Sequence, residues 1–234
     1  MGCEMTDKVI CFLPCRKGSE RVPKKNIKPF AGFSNGLIEL KLRQLFECEL
    51  IDKVVLSTND DEILEYASSL AEDRLILHKR ADHLASSKTS TDELVAHALS
   101  LIPDAHILWT HVTSPFITGS VYKDIISRYF GAINDGSDSL MTTTLLHAFL
   151  WQDGKAMNYD RGVEKWPRTQ TLKPVHEVNS GAFIAHSEIY RSLDDRIGNA
   201  PYLYGMDKII SHDIDWPEDF VIAEALAEKG LVQL

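Results

Sequence analysis

The sequence predicts an α/β fold: a mainly parallel sheet with helices on both faces. Three observations predict it. The first half alternates short β-branched runs with longer amphipathic ones, the rhythm of β-α-β units. The first such run leads straight into a cluster of basic residues, and a basic loop leaving the carboxyl end of the first strand is where such sheets bind phosphates. At 234 residues and 44% apolar, the chain can bury a sizeable core. It reads as one domain over 1–234, with an inserted arm at about 140–178.

The elements follow in order. Residues 8–14 read as a buried strand, and residues 36–47 carry apolar side chains at helical spacing. Residues 53–58 are a short strand. Asn59, Asp60 and Asp61 look like a helix cap, and 62–70 have helical spacing. A strand over 74–78 precedes a helix over 91–101, capped by Ser90 or Thr91. Residues 106–110 are a strand and 120–130 a helix. The rhythm breaks at about Gly136. Residues 139–147 favour strand, and 149–159 around Gly154 suggest a hairpin. Residues 160–178 are polar, hold Pro167 and Pro174, and show no clear periodicity; such a stretch is usually functional or an interaction arm. A strand at 181–185 and a helix from Ser187 resume the pattern. Residues 208–215 read as a last strand, followed by a helix over 217–229 with Pro217 in its first turn.

Charge is unevenly placed. The chain carries a net −9, yet residues 15–28 hold six basic side chains and one acid, so this segment is +5 and the rest −14. A concentrated positive loop on an acidic protein suits a small polyanion, and the acidic remainder argues against a nucleic-acid or membrane-surface partner. No apolar run approaches the roughly 18 residues of a membrane span. The first eight residues show no basic-then-apolar leader. Cys3, Cys11, Cys15 and Cys48 form no C-x-x-C pair, so they are expected to be reduced thiols of a cytoplasmic protein.

Four constellations carry chemistry. The basic loop is not a Walker A loop, but Arg16 and Lys25 lie at its two ends and could converge on one triphosphate, with Ser19 adding a hydroxyl and Pro23 stiffening the turn. The plain alternative is a solvated basic loop. Asp213 and Asp215 share one face if 208–215 is a strand, roughly 7 Å apart by strand rise. Both could then reach Mg²⁺. Alternatively Asp215 caps the next helix and Asp213 is solvated. The turn 111–116 follows a strand, where Thr113 and Ser114 could touch a ribose or base, or serve only the turn. In the polar arm, Arg168 would suit a sugar acid with Gln170 on its hydroxyls, unless the arm is a solvent-facing loop or subunit contact. No convincing Ser-His or Cys-His nucleophilic pair is present.

Arg16, Ser19, Val22, Pro23, Lys25 and Asn26 stand at the spacing R-x-x-S-x-x-[ILV]-P-x-K-N. With 55–60, 80–91, 113–115, 168–170, 180–182 and 213–219, this resembles the acylneuraminate cytidylyltransferase family over nearly the whole chain. The resemblance implies a Rossmann-like fold whose arm exchanges between two subunits, hence a homodimer. It implies that CTP and a nine-carbon 2-keto (nonulosonic) sugar acid give a CMP-sugar and pyrophosphate. Arg16, Ser19 and Lys25 would hold the triphosphate, with Arg16 and Lys25 stabilising the leaving pyrophosphate. Asn26 would contact the nucleotide, and Arg80 and Thr91 would lie by base and ribose. Asp213 and Asp215 would carry Mg²⁺, and Arg168 and Gln170 would face the sugar acid. The chain departs from the family at His111, where Gln is usual; the histidine could substitute as a nucleotide-contacting donor or mark a different sugar acid. It also departs at Lys88 and in the longer turn 32–37, which could reshape the mouth of the nucleotide pocket. The eight-carbon acid Kdo as acceptor, or a non-catalytic sugar-nucleotide binder, are the competing readings.

Overall fold

The structure, a computed structural model, describes residues 8–234. Residues 1–7, with Cys3 and most of the segment read for a leader, lie outside the described residues. Strands β1 (Val9–Cys15), β2 (Lys53–Thr58), β3 (Leu75–Lys79), β4 (His106–Thr110), β5 (Ser139–Leu146), β8 (Val175–His186) and β9 (Pro201–Met206) form one sheet. Its order is β3-β2-β1-β4-β8-β5-β9. The first four strands are mutually parallel, β5 and β9 are parallel to each other, and β8 runs against both its neighbours. The two-residue strands β6 (Trp151–Gln152) and β7 (Lys155–Ala156) make a separate hairpin in the arm.

Strand alternation divides the core in two. Cys11 and Leu13 of β1 face α1 (Gly36–Glu47), α2 (Asp61–Ser69), α4 (Gly119–Asn134) and α6 (Pro217–Glu228). Phe12 turns to the other face, where Trp109 and Phe183 pack with α3 (Thr91–Leu101) and α5 (Ser187–Leu193). Both faces are therefore covered, as parallel strands require. α3 starts in a full capping box: the Ser90 hydroxyl accepts from Glu93 N and the Glu93 carboxylate accepts from Ser90 N.

Three segments differ from the sequence reading. β9 is absent from it. Pro201 at its first residue and Gly205 inside it hide the pattern, but an edge strand tolerates both. The Asp138 carboxylate secures its entry by accepting from Asn199 N at 2.7 Å and Ala200 N at 3.1 Å. β8 begins at Val175, so the end of the supposedly irregular stretch is strand; a bulge opposite Met141–Thr143 is filled by the Asn179 side chain, which accepts from Thr142 Oγ1 and Gly181 N.

Residues 208–215 are not a strand. Asp207 bends the chain first, its Oδ1 accepting from Ile209 N at 2.8 Å and Ile210 N at 2.9 Å. A local side-chain turn thus wins over β-branched propensity. Asp213 and Asp215 therefore do not share the face of a strand.

Candidate active site

A cleft of about 330 Å³ opens at the carboxyl ends of β1 and β4. Pro14 and Cys15 line it from the strand, Arg16, Ser19, Lys25 and Asn26 from the basic loop, and His111, Val112 and Thr113 from the turn after β4. Arg80, Leu84, Ser86, Ser87 and Thr89 line it from the connection after β3. A smaller recess of about 140 Å³ shares Arg16, Ser19 and Lys25 and adds Arg21 and Asp215. The basic loop and the acidic segment, 189 positions apart, therefore border one space.

The loop is a run of tight turns. Buried Val22 anchors it, and Lys24, with φ +52°, reverses the chain so that Ile27 N and Lys28 N both donate to Lys24 O. Neighbouring lysines then point apart. Lys24 pairs with Glu62 on α2 at 2.7 Å, while Lys25 turns inward. Asn26 Nδ2 donates to Arg16 O at 3.1 Å and ties the two ends of the loop together. Gly36 closes it: its φ is +63°, and a Cβ there would lie 2.0 Å from Lys28 O. The longer turn 32–37 folds back through Phe33 and lines none of the cleft; Phe30 beside it packs on Phe220. Lys88 lines none of it either.

Ile214 locks the acidic segment to both walls. Its N–H donates to Thr113 O at 2.9 Å, and its carbonyl accepts from Lys25 Nζ at 2.6 Å. Asp215 lies 3.8 Å from Lys25 Nζ and 3.5 Å from Arg21, whose guanidinium stacks on Trp216. Burial lowers the Lys25 pKa, while Asp215 and Asp213 oppose that fall. Asp215 is not the cap of α6. Asp219 takes that task, its Oδ2 accepting from Trp216 N at 2.7 Å and Asp215 N at 3.0 Å. Asp213 differs from its neighbour: its Oδ1 is buried and has no hydrogen-bond partner. A buried carboxylate oxygen without a partner is costly, and a hard cation would satisfy it. The donor set therefore fits a divalent ion centred on Asp213, although among the described residues no cluster of three His, Cys, Asp or Glu side chains could enclose one unaided.

Arg80 closes the other end. It is buried, burial pulls its pKa down, and its Nε has no partner. Thr91 does not reach the cleft. It is the first residue of α3 and exposed; Thr89, two positions earlier, lines the wall in its place because the Ser90 cap turns the chain there. Cys15 on the floor is no nucleophile, since burial pushes its thiol up to about 12.

His111 lines the cleft with both ring nitrogens engaged. Nδ1 lies 3.0 Å from Ser180 O, and Trp109 Nε1 donates to Nε2 at 3.1 Å. The ring is thus the neutral Nδ1–H tautomer, and burial lowers its pKa. A ring nitrogen could act as a donor to a ligand only by exchanging one of these partners.

Sequence reading missed Lys41. It is fully buried on α1 and donates to Ser114 O at 2.8 Å and Tyr122 Oη at 2.9 Å. Gln44, one turn later, donates to Pro115 O at 2.7 Å. Together they grip the turn whose Thr113 holds Ile214. Burial pushes the Lys41 ammonium down to about 7. The available signal was a lysine within the apolar stripe Leu37-Lys41-Leu45.

Arg168 and Gln170 lie in a single turn of the arm, both exposed, and neither lines the cleft of this chain. The arm packs on itself through Phe149, Tyr159 and Trp166. It leaves Trp166 63% and Val163 85% exposed.

A mainly parallel α/β sheet with an anion-suited cleft at the carboxyl ends of β1 and β4 is the arrangement of a phosphate-binding class of α/β protein. Comparison narrows the class. The pattern described as cytidylyltransferase matches residues 10–231, and the chain belongs to that family of nucleotidyltransferases. It is 29% identical over 227 residues to a pseudaminic acid cytidylyltransferase of Campylobacter jejuni, covering 94% of this chain and 96% of that protein. It is 25% identical over 232 residues to an N-acylneuraminate cytidylyltransferase of Escherichia coli, covering 96% of this chain but 53% of that protein. The chain thus spans about half the length of some relatives and nearly all of others. A solved CMP:2-keto-3-deoxy-manno-octonic acid synthetase complexed with CTP shares the fold at TM-score 0.67 and 13% identity, covering 95% of this chain and 99% of that one.

Proposed function

We propose that this chain transfers the cytidylyl group of CTP to the anomeric hydroxyl of a nonulosonic acid, releasing pyrophosphate. One observation carries the reading. The Lys25 ammonium, from the basic loop, sits 2.6 Å from Ile214 O and 3.8 Å from Asp215, and the charge of Asp213, on the other side of Ile214 in the chain, also acts on it. Cations suited to a triphosphate and the carboxylate of Asp215 border one recess, which supports the reading, and Asp213 lies just behind it in the chain. The relatives named for N-acylneuraminate and pseudaminic acid support the acceptor class. The octonic acid synthetase supports only the fold.

The sugar hydroxyl attacks the α-phosphorus in line, an O–P bond forms, and the α–β anhydride breaks. Little covalent work falls to the protein, so positioning and charge neutralisation dominate. Arg16, Ser19 and Lys25 face the β- and γ-phosphates, and Lys25 meets the charge that grows on departing pyrophosphate. Asn26 acts through the loop, by holding Arg16 O. Arg80 faces the nucleoside end. Asp213, with Asp215 as second carboxylate, would hold a divalent cation such as Mg²⁺, which when bound offsets phosphate charge and lowers the pKa of the attacking hydroxyl.

We further infer a homodimer through the arm. Its exposed Trp151, Met157, Val163 and Trp166 form apolar surface that a second copy would cover, which would carry Arg168 and Gln170 to the partner's acceptor pocket. The free, buried Cys11, Cys15 and Cys48 suit a reducing compartment such as the cytoplasm.

The test is pyrophosphate release from CTP with N-acetylneuraminate, legionaminate, pseudaminate and Kdo. Turnover is expected with a nine-carbon acid and Mg²⁺. No turnover with any nine-carbon acid overturns the reading, and turnover with Kdo alone moves the acceptor to the eight-carbon class.

A further inference from the structure

We propose that Arg196 is a specificity-determining anchor for the carboxylate of the acceptor, an anchor that this chain supplies to its own site; the inference rests on the transferase reading above. Two arginines in the molecule stack on aromatic rings and are at least partly buried, and they differ in one respect. Arg74 lies over Phe46 and spends its N–H groups on Phe46 O, Cys48 O and Ile51 O, with Glu72 alongside. It is a structural arginine. Arg196 lies 3.7 Å over Phe183 and 4.9 Å over Trp109, and among the described residues no hydrogen bond or ion pair engages its guanidinium. Its neighbour Asp195 turns an oxygen to Ile197 N instead. Nearby Tyr190 adds a buried hydroxyl that also has no partner.

The position points to the acceptor end of the cleft. Trp109 and Phe183 pair across β4 and β8, two residues before His111, on the sheet face that carries α3. Trp109 bonds directly to His111 in the cleft wall, and the Arg196 charge reaches that ring, where it helps to keep it neutral. Arg80 lines the cleft, whereas Arg196 lies outside its lining, stacked on the tryptophan that bonds to His111 in the cleft wall. The phosphates already have Arg16 and Lys25. The remaining anion of the reaction is the acceptor carboxylate, a planar group matched to the guanidinium fork. In a 2-keto acid it sits on the carbon bearing the attacking hydroxyl, so fixing it also orients that oxygen. The rings hold the guanidinium plane still, which lowers the entropy cost of the contact.

The test is calorimetric binding of N-acetylneuraminate, pseudaminate and Kdo to the full chain with CMP present, which needs no turnover. The tightest acid should bind Arg196→Gln about tenfold to a hundredfold more weakly than wild type, and Arg196→Lys should recover part of the loss. CTP affinity should stay unchanged in both variants. The methyl ester of that acid should bind wild type and Arg196→Gln equally weakly. The anchor is overturned if Arg196→Gln binds the acid as wild type does, if wild type binds acid and ester alike, or if no acid binds wild type. Should Arg196→Gln lose CTP as well, its fold is damaged, and the Lys variant with the wild-type acid and ester comparison decides. Acid binding without pyrophosphate release from CTP would instead count against the transferase reading and leave the anchor standing.

Discussion

The two ends of the cleft hold their cations differently. At one end Lys25 is already committed, donating to Ile214 O and lying close to Asp215, with Arg21 on the same carboxylate. At the other end Arg80 is buried with a bare Nε and no acidic partner within 4 Å among the described residues. A phosphate arriving at Lys25 must share or replace existing bonds, whereas a nucleoside group reaching Arg80 meets an unused donor. Arg80 should therefore serve ground-state affinity. Lys25 should serve the transition state, where growing charge on pyrophosphate makes the exchange worthwhile.

Substitutions can break this contrast. Asp213→Asn leaves a buried amide where the proposed metal carboxylate stood, and should lower kcat about a hundredfold to a thousandfold with the fold intact. Steady-state kinetics over a Mg²⁺ titration, with circular dichroism, check it; unchanged kcat removes Asp213 from the site. Lys25→Met should lower kcat by roughly a hundredfold while CTP affinity moves far less. Arg80→Met should do the reverse, weakening CTP binding about tenfold to a hundredfold at nearly constant kcat. If both variants alter the same parameter, the two ends do not divide the work.

A fourth prediction concerns Lys41, which holds the turn behind the acidic segment. Its pKa falls from the ordinary 10.5 to about 7 in the folded chain. Below about 7 both folded and unfolded states carry the proton. Between about 7 and 10.5 only the unfolded state does, so stability rises with pH across that window, by at most about 1.4 kcal/mol per unit. Lys41→Met should lose this rise. Urea midpoints at two pH values within the window, for both proteins, would reveal equal slopes if the assignment is wrong. The smallest effect belongs to Arg21→Ala. Its pair with Asp215 is half-exposed, so kcat should change no more than a few-fold.

Much of the fold was legible because apolar periodicity dominates where both sheet faces are covered. α1, β2 and β4 lie where the pattern puts them, at Gly36–Glu47, Lys53–Thr58 and His106–Thr110. The pattern misleads where a single side chain redirects the backbone. Asp207 turns residues 208–211 away from strand, and Asp219 takes the capping role in place of Asp215. The basic loop announced itself by charge density, and its meeting with Asp215 follows from topology. Thr91, expected by the base and ribose, is exposed at the start of α3, where the cap at Ser90 leaves Thr89 on the wall. Arg196 gives no sequence signal, since its importance lies in stacking on two strands distant in the chain.

The central claim is that the basic loop and the acidic segment act on one ligand in one cleft. A double-mutant cycle on pyrophosphate release, joining Lys25→Met with Asp213→Asn, tests it most directly. The account predicts strong coupling, with the double variant scarcely slower than the worse single one. Two losses that multiply in full, as from separate sites, would contradict it.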